Sequence, residues 1–225
     1  MNQPSMQFLY GDRELLLTVS DLLDAPVEVI VSPADSKLSH ADPLAAVILA
    51  RAGDGLRRDS EQMIREYGQI DSGMAVYTGA GSLLYKAIIH AVAPHWSEGD
   101  EQYGIEQAVS RSLQLCDLNE WRSIAFPAIG AGSFNVPIDT CAQAFFRTIT
   151  HFWDARNDST LEKVVVCLTE QQFRPFFDAF REEGIGGQET VVPKADVGER
   201  PVGHVELNEQ DIADLDDDEI DDWFK

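Results

Sequence analysis

The residues best suited to chemistry lie in one short run, Phe126-Pro127-Ala128-Ile129-Gly130-Ala131-Gly132-Ser133-Phe134. A β-rich stretch, Ser123 to Phe126, leads into it, and a helical pattern follows from Asp139. Glycines in such a turn let consecutive main-chain N–H groups face an anion with no Cβ in the way. Main-chain dipoles hold phosphate without lysine, which matters for a chain with 39 acidic and 17 basic residues and a formal charge of −22. Asn135 stands where a dinucleotide fingerprint has its third glycine, and the helix begins only at Asp139, so a Rossmann site is not expected. A tight strand-to-helix turn with no ligand is the other reading of this run.

A second group, Asp35, His40 and Asp42, shares one loop, and histidine titrates near neutrality, so acid/base chemistry is one reading. The other is polar loop residues that cap a helix starting at Pro43. His90 reads as a satisfied strand histidine, and His95, His151 and His204 are too scattered for metal ligation. No metal site and no cofactor are expected. No serine sits at a nucleophile elbow, and Gly79-Ala80-Gly81-Ser82 reads as a turn. Cys116, Cys141 and Cys167 form no C-x-x-C pair, which argues against a disulfide framework and a zinc ribbon and suits a reducing cytoplasm, the expected location.

The elements that must position these residues alternate in type, as in an α/β domain on a largely parallel sheet. Gln7 to Tyr10 and Glu14 to Val19 flank the turn pair Gly11-Asp12 and predict an opening hairpin. Further strands are expected at Val27 to Val31, Met74 to Thr78, Ala87 to Val92, Ser123 to Phe126 and Lys163 to Leu168. Helices are expected at Pro43 to Arg51, Leu56 to Tyr67, Tyr103 to Asn119, Asp139 to Trp153 and Glu170 to Glu183. The 225 residues, 44% of them apolar, suffice for one such domain. From residue 188 onward, 13 acidic and 3 basic residues give −10, leaving −12 for the rest. We therefore divide the chain into a domain, 1–187, and an acidic tail, 188–225, expected to be disordered because it is poor in large apolar residues. The charge disfavours nucleic acid and anionic membrane as partners. No run reaches the roughly 18 to 20 apolar residues of a membrane span, and the start, Met1 to Gln7, lacks a signal pattern.

The stretch Val27-Glu28-Val29-Ile30-Val31-Ser32-Pro33-Ala34-Asp35-Ser36-Lys37-Leu38, continued to Ala50-Arg51-Ala52-Gly53, resembles the signature of macro domains. In that signature a strand leads into Asn-Ala-Ala-Asn, a glycine-rich loop and a helix ending in Ala-Gly. Ile88-Ile89-His90-Ala91-Val92-Ala93-Pro94 resembles the family's His-x-Val-Gly-Pro strand, and Phe126 to Gly132 its Phe-Pro-Ala-Ile-Ser-x-Gly loop. The likeness covers roughly residues 7 to 183, and around Ser123 to Ala142 it is closest to the histone-type branch. It implies a three-layer α/β/α fold with a mixed, largely parallel central sheet, and binding of ADP-ribose, free or attached to protein.

The resemblance also implies where that ligand would lie. Asp21 matches the aspartate that receives the adenine amino group, with Leu22 beside it. Gly130, Ala131, Gly132, Ser133 and Phe134 match the phosphate loop, Phe134 covering the distal ribose. Ser32 and Asp35 stand in place of the family's two asparagines, and Leu44 in place of its valine. His40-Ala41-Asp42-Pro43 replaces the consecutive glycines, and Ala45 replaces the aspartate that helps activate water in the hydrolytic branch. A methyl group accepts no proton. The expectation is a macro domain that binds ADP-ribose, an ADP-ribose derivative or ADP-ribosylated protein, with no catalytic residues. The enzyme alternative processes such ligands with Asp35 and His40. The third alternative is a ligand-free scaffold that acts through its tail, where Ile212, Leu215, Ile220, Trp223 and Phe224 among aspartates suit residues 205–225 to docking on a basic protein partner. The same tail could instead fold back on the anion loop.

Overall fold

Five parallel strands form the middle of the sheet because each reads apolar on both faces, as buried parallel strands do. A computed structural model describes residues 4–96, 99–182 and 187–188, of which 182, 187 and 188 as backbone alone. Its strands are β1 (Ser5–Tyr10), β2 (Arg13–Val19), β3 (Val29–Ala34), β4 (Ala75–Thr78), β5 (Ala87–Val92), β6 (Ser123–Pro127), β7 (Lys163–Leu168) and β8 (Gly187–Gln188). Their order across the sheet is β4-β5-β3-β6-β7-β2-β1-β8. β5, β3, β6, β7 and β2 are mutually parallel, whereas β1 and β4 run antiparallel to their neighbours β2 and β5. The opening hairpin β1–β2 pairs through Gly11, whose φ of +61° is the left-handed conformation such a turn requires.

Helices cover both faces, giving the three layers. α1 (Pro43–Ala52) and α2 (Asp54–Tyr67) pack Ile48, Ala52 and Leu56 against Ile30, Ile88, Ala125 and Val165. On the other face α3 (Glu101–Leu118), α4 (Ile138–Ala155) and α5 (Glu170–Glu182) pack Ile105, Val109, Phe145 and Phe176 against Val29, Val31, Ile89, Phe126 and Val166. The alternation along β3 is direct: Val29 and Val31 face one layer, Ile30 the other. Aromatic rings carry much of the larger core, with Phe126 and Phe145 meeting edge to face at 5.5 Å.

The expected strands and helices all occur, with boundaries shifted by a few residues. β3 is displaced the furthest, running to Ala34 where Val31 was expected to end it. β8 pairs with β1, so the boundary expected between residues 187 and 188 falls within a strand. The expected acidic tail, from residue 189 on, lies outside the described residues. Among the described residues the three cysteines are free and buried, no helix is long and apolar enough to cross a membrane, and no cluster of metal-binding side chains occurs.

Candidate functional site

Because β2, β3, β5, β6 and β7 run the same way, the loops that follow them emerge at one edge of the sheet. Open α/β sheets bind ligands outside the carboxyl ends of their strands. The β3–α1 loop (residues 35–42) and the β6–α4 loop (residues 128–137) are neighbours there, since β3 and β6 are adjacent.

The β6–α4 loop is closed on itself. Ala131 N–H donates to Ala128 O at 3.2 Å, Val136 N–H to Gly130 O at 2.9 Å and Asn135 N–H to Gly132 O at 3.0 Å. Asn135 adopts φ +57°, a left-handed conformation asparagine tolerates, and its side chain donates to Ser133 O at 3.1 Å. That conformation accounts for asparagine where a third glycine would otherwise stand. Among the described residues, the N–H groups of Gly132, Ser133 and Phe134 meet no acceptor. Three successive free donors in a closed turn form an anion-binding concavity.

The two glycines differ in role. Gly130 is buried with φ +88°, and a Cβ there would stand 2.8 Å from Ile105 Cδ1 of α3. It is a packing glycine. Gly132 is exposed, and a Cβ there would meet nothing within 4 Å. The side of the turn where a Gly132 side chain would stand is therefore open. Phe134 is buried, its ring 4.5 Å from that of His95, and its carbonyl accepts Trp96 N–H at 2.8 Å. The β5–α3 connection thus forms one wall of the turn.

The β3–α1 loop is built differently. Leu38 and His40 take φ of +48° and +57°, the left-handed region that glycine enters freely. Each such residue costs about 1–3 kcal/mol. Leu38 is buried with Ala34, Ile70 and Val92, and burying a leucine side chain returns about 1.5–3 kcal/mol. His40 packs its ring edge-on to His90 at 5.6 Å and meets Ser60 Oγ through Nε2 at 3.0 Å. Burial, followed by the Arg57 charge, holds the His40 pKa below its usual value, against an opposing pull from Asp35. Beneath it Thr78 Oγ1 shares a hydrogen bond with His90 Nε2 at 2.8 Å and lies 3.2 Å from Gly79 O. Burial, helped by His40, pushes the His90 pKa down to about 3. These two histidines pin the loop to the sheet and α2. The His40 ring is largely buried in these contacts, with the residue 9% exposed.

Asp35 spends both oxygens on its own loop. Its Oδ1 accepts Lys37 N–H at 2.8 Å and Ser39 N–H at 3.3 Å, and its Oδ2 accepts the Ser39 hydroxyl. Burial raises its pKa, but the Ser39 and main-chain hydrogen bonds outweigh this and hold it below the usual carboxylate range. Asp42 is the N-cap of α1: Oδ1 accepts Leu44 N–H at 2.9 Å and Ala45 N–H at 3.4 Å. Its Oδ2 accepts the Ser133 hydroxyl, joining the two loops.

Of the expected ligand residues, Asp35 and the 130–134 run lie on neighbouring loops, and Leu44 lies in the first turn of α1. Ser32 departs from expectation: it is 0% exposed within β3, so its hydroxyl has no access to a ligand. Leu22 places its side chain in the core beside Ile30 and Ala125. Asp21, at the end of β2, is exposed and caps a 3-10 turn, Leu22–Asp24, by accepting Leu23 N–H at 2.9 Å. β7 separates its strand from β6. The Asp42–Ser133 link joins residues 91 apart, and only the adjacency of β3 and β6 could have signalled it. Gly79 to Ser82 is the expected turn: Gly81, at φ +58°, lies against the end of α1, with Ser82 N–H on Ala52 O at 2.8 Å.

The Macro domain family model matches residues 31–145, which span both loops. The chain belongs to the macro domain family. The O-acetyl-ADP-ribose deacetylase of Klebsiella pneumoniae is 36% identical over 156 residues, covering 68% of this chain and 88% of that protein. Human protein mono-ADP-ribosyltransferase PARP14 is 32% identical over 172 residues, 74% of this chain. The chain spans only 10% of PARP14, and 28% of a Thermotoga maritima relative. Among solved structures, the Oceanobacillus iheyensis macrodomain with ADP superposes with a TM-score of 0.76 at 23% identity, covering 81% of this chain and 98% of that one. This macro domain therefore has the family's fold.

Proposed function

We propose that this macro domain binds ADP-ribose, either free or as the modification on a protein, and does not hydrolyse it. The observation that carries the reading is the row of three free N–H groups, Gly132 to Phe134, in a turn at the carboxyl edge of the sheet where Gly132 and Ser133 are exposed. A phosphate accepts from such donors without any cationic side chain. The relatives fit this ligand class: one acts on O-acetyl-ADP-ribose and another is a mono-ADP-ribosyltransferase. Asp21, exposed on the same edge, offers its second oxygen to the adenine amino group.

Hydrolysis needs a group to take a proton from water. Ala45, fully buried, offers none, and the carboxylates of Asp35 and Asp42 are both committed to hydrogen bonds. Calorimetry of the full chain with ADP-ribose tests the binding: saturable heat is expected, and its absence at millimolar ligand would overturn the reading. The deacetylase relative favours a second reading, in which the ester of O-acetyl-ADP-ribose is cleaved. Mass spectrometry of that ester after long incubation separates the two, an intact ester supporting binding alone.

A further inference from the structure

The first turn of α1 has no N–H left for a ligand. Pro43 has none, Leu44 and Ala45 donate to Asp42 Oδ1, and Ala46 donates to Asp42 O at 2.8 Å. The remaining oxygen, Oδ2, rests on the hydroxyl of Ser133, the middle residue of the free-donor turn. A resident carboxylate therefore occupies the gap between the two loops, beside the place where the turn presents its donors.

From this arrangement we propose that Asp42 is a built-in competitor for the ligand's phosphates and sets the charge selectivity of the cleft. The inference rests on the ADP-ribose reading and deepens it. A phosphoryl group seated on the N–H groups of Gly132 to Phe134 approaches a like charge held by Ser133. A second phosphoryl group takes the α1 donors only by displacing Asp42 from Leu44 and Ala45. The Asp42–Ser133 contact breaks when such a ligand enters. A diphosphate thus binds more weakly than the main-chain donors alone would allow, and the cleft discriminates against ligands of higher negative charge.

Asp42→Asn tests this cleanly, because asparagine caps a helix as well as aspartate does. Asp42→Ser is a second neutral cap, should the first variant fold poorly. Calorimetry at low salt is expected to show both variants binding ADP-ribose about tenfold tighter than the parent or more. The difference should shrink at high salt, where exposed charges are screened, a change that a purely structural role would not produce. Heat from the variants with none from the parent chain upholds the competitor role while overturning the ADP-ribose reading of the parent. Variants that bind no tighter than the parent overturn the competitor role and leave the ADP-ribose reading standing. No heat from parent or variants overturns both.

Discussion

A single residue can separate holding the fold from holding the ligand. Gly130 and Gly132 lie two positions apart in the same turn, yet one faces α3 and the other faces open space. Gly130→Ala forces a Cβ against Ile105 at a left-handed φ, and should lower stability by about 1–3 kcal/mol, read as a reduced urea midpoint. Gly132→Val fills the empty volume beside the free donors; it should leave the urea midpoint near that of the parent while abolishing ADP-ribose heat. The reverse pattern would show that the glycine roles are misassigned. Only part of this was legible in the residues. The run Gly130 to Phe134 signals an anion turn, but which glycine opens it depends on the position of Ile105 in α3, distant in sequence. Likewise Asp42 reads as a cap for the helix from Pro43, which it is, while its bond to Ser133 has no local signature.

At the scale of elements, the β3–α1 loop keeps its left-handed residues because it is pinned to α2 and the sheet through His40, Ser60, His90 and Thr78. Protons act on that anchorage. His90, with its pKa pushed down to about 3 by burial, stays neutral in the folded chain, whereas the unfolded chain takes up a proton below its ordinary 6.5. Below that ordinary value the unfolded state binds more protons, so this contribution to stability is complete above it and is lost as pH falls towards the folded value. His40, also depressed, acts in the same direction. The urea midpoint of the parent should therefore fall between about pH 7 and pH 4.5, and His90→Gln should fall less steeply; parallel slopes would remove His90 from this account. Periodicity made the elements themselves legible, but two prolines show its limits. Pro33 sits inside β3, which pairs with β6 only at Val29 and Ile30, so one flank is already unpaired where the N–H is missing. Pro175 lies inside α5, which continues because Phe176 and Phe180 are fully buried against the core. In both places tertiary packing outweighs the local preference.

Across the whole molecule, a formal charge of −22 opposes any anion, and the site answers with neutral main-chain donors. The parallel sheet makes this possible by delivering the β3 and β6 loops to one edge, where Asp42 and Ser133 meet. In the first loop, Leu38 and His40 hold left-handed conformations because they are buried or bonded. The central claim is that the N–H groups of Gly132, Ser133 and Phe134 hold the phosphate. Amide proton and nitrogen shifts followed across the chain during titration with ADP-ribose test it most directly. These three amides should move most, with their protons shifted downfield as they begin to donate. Saturable binding with these three amides unmoved, and the largest shifts elsewhere, would contradict it.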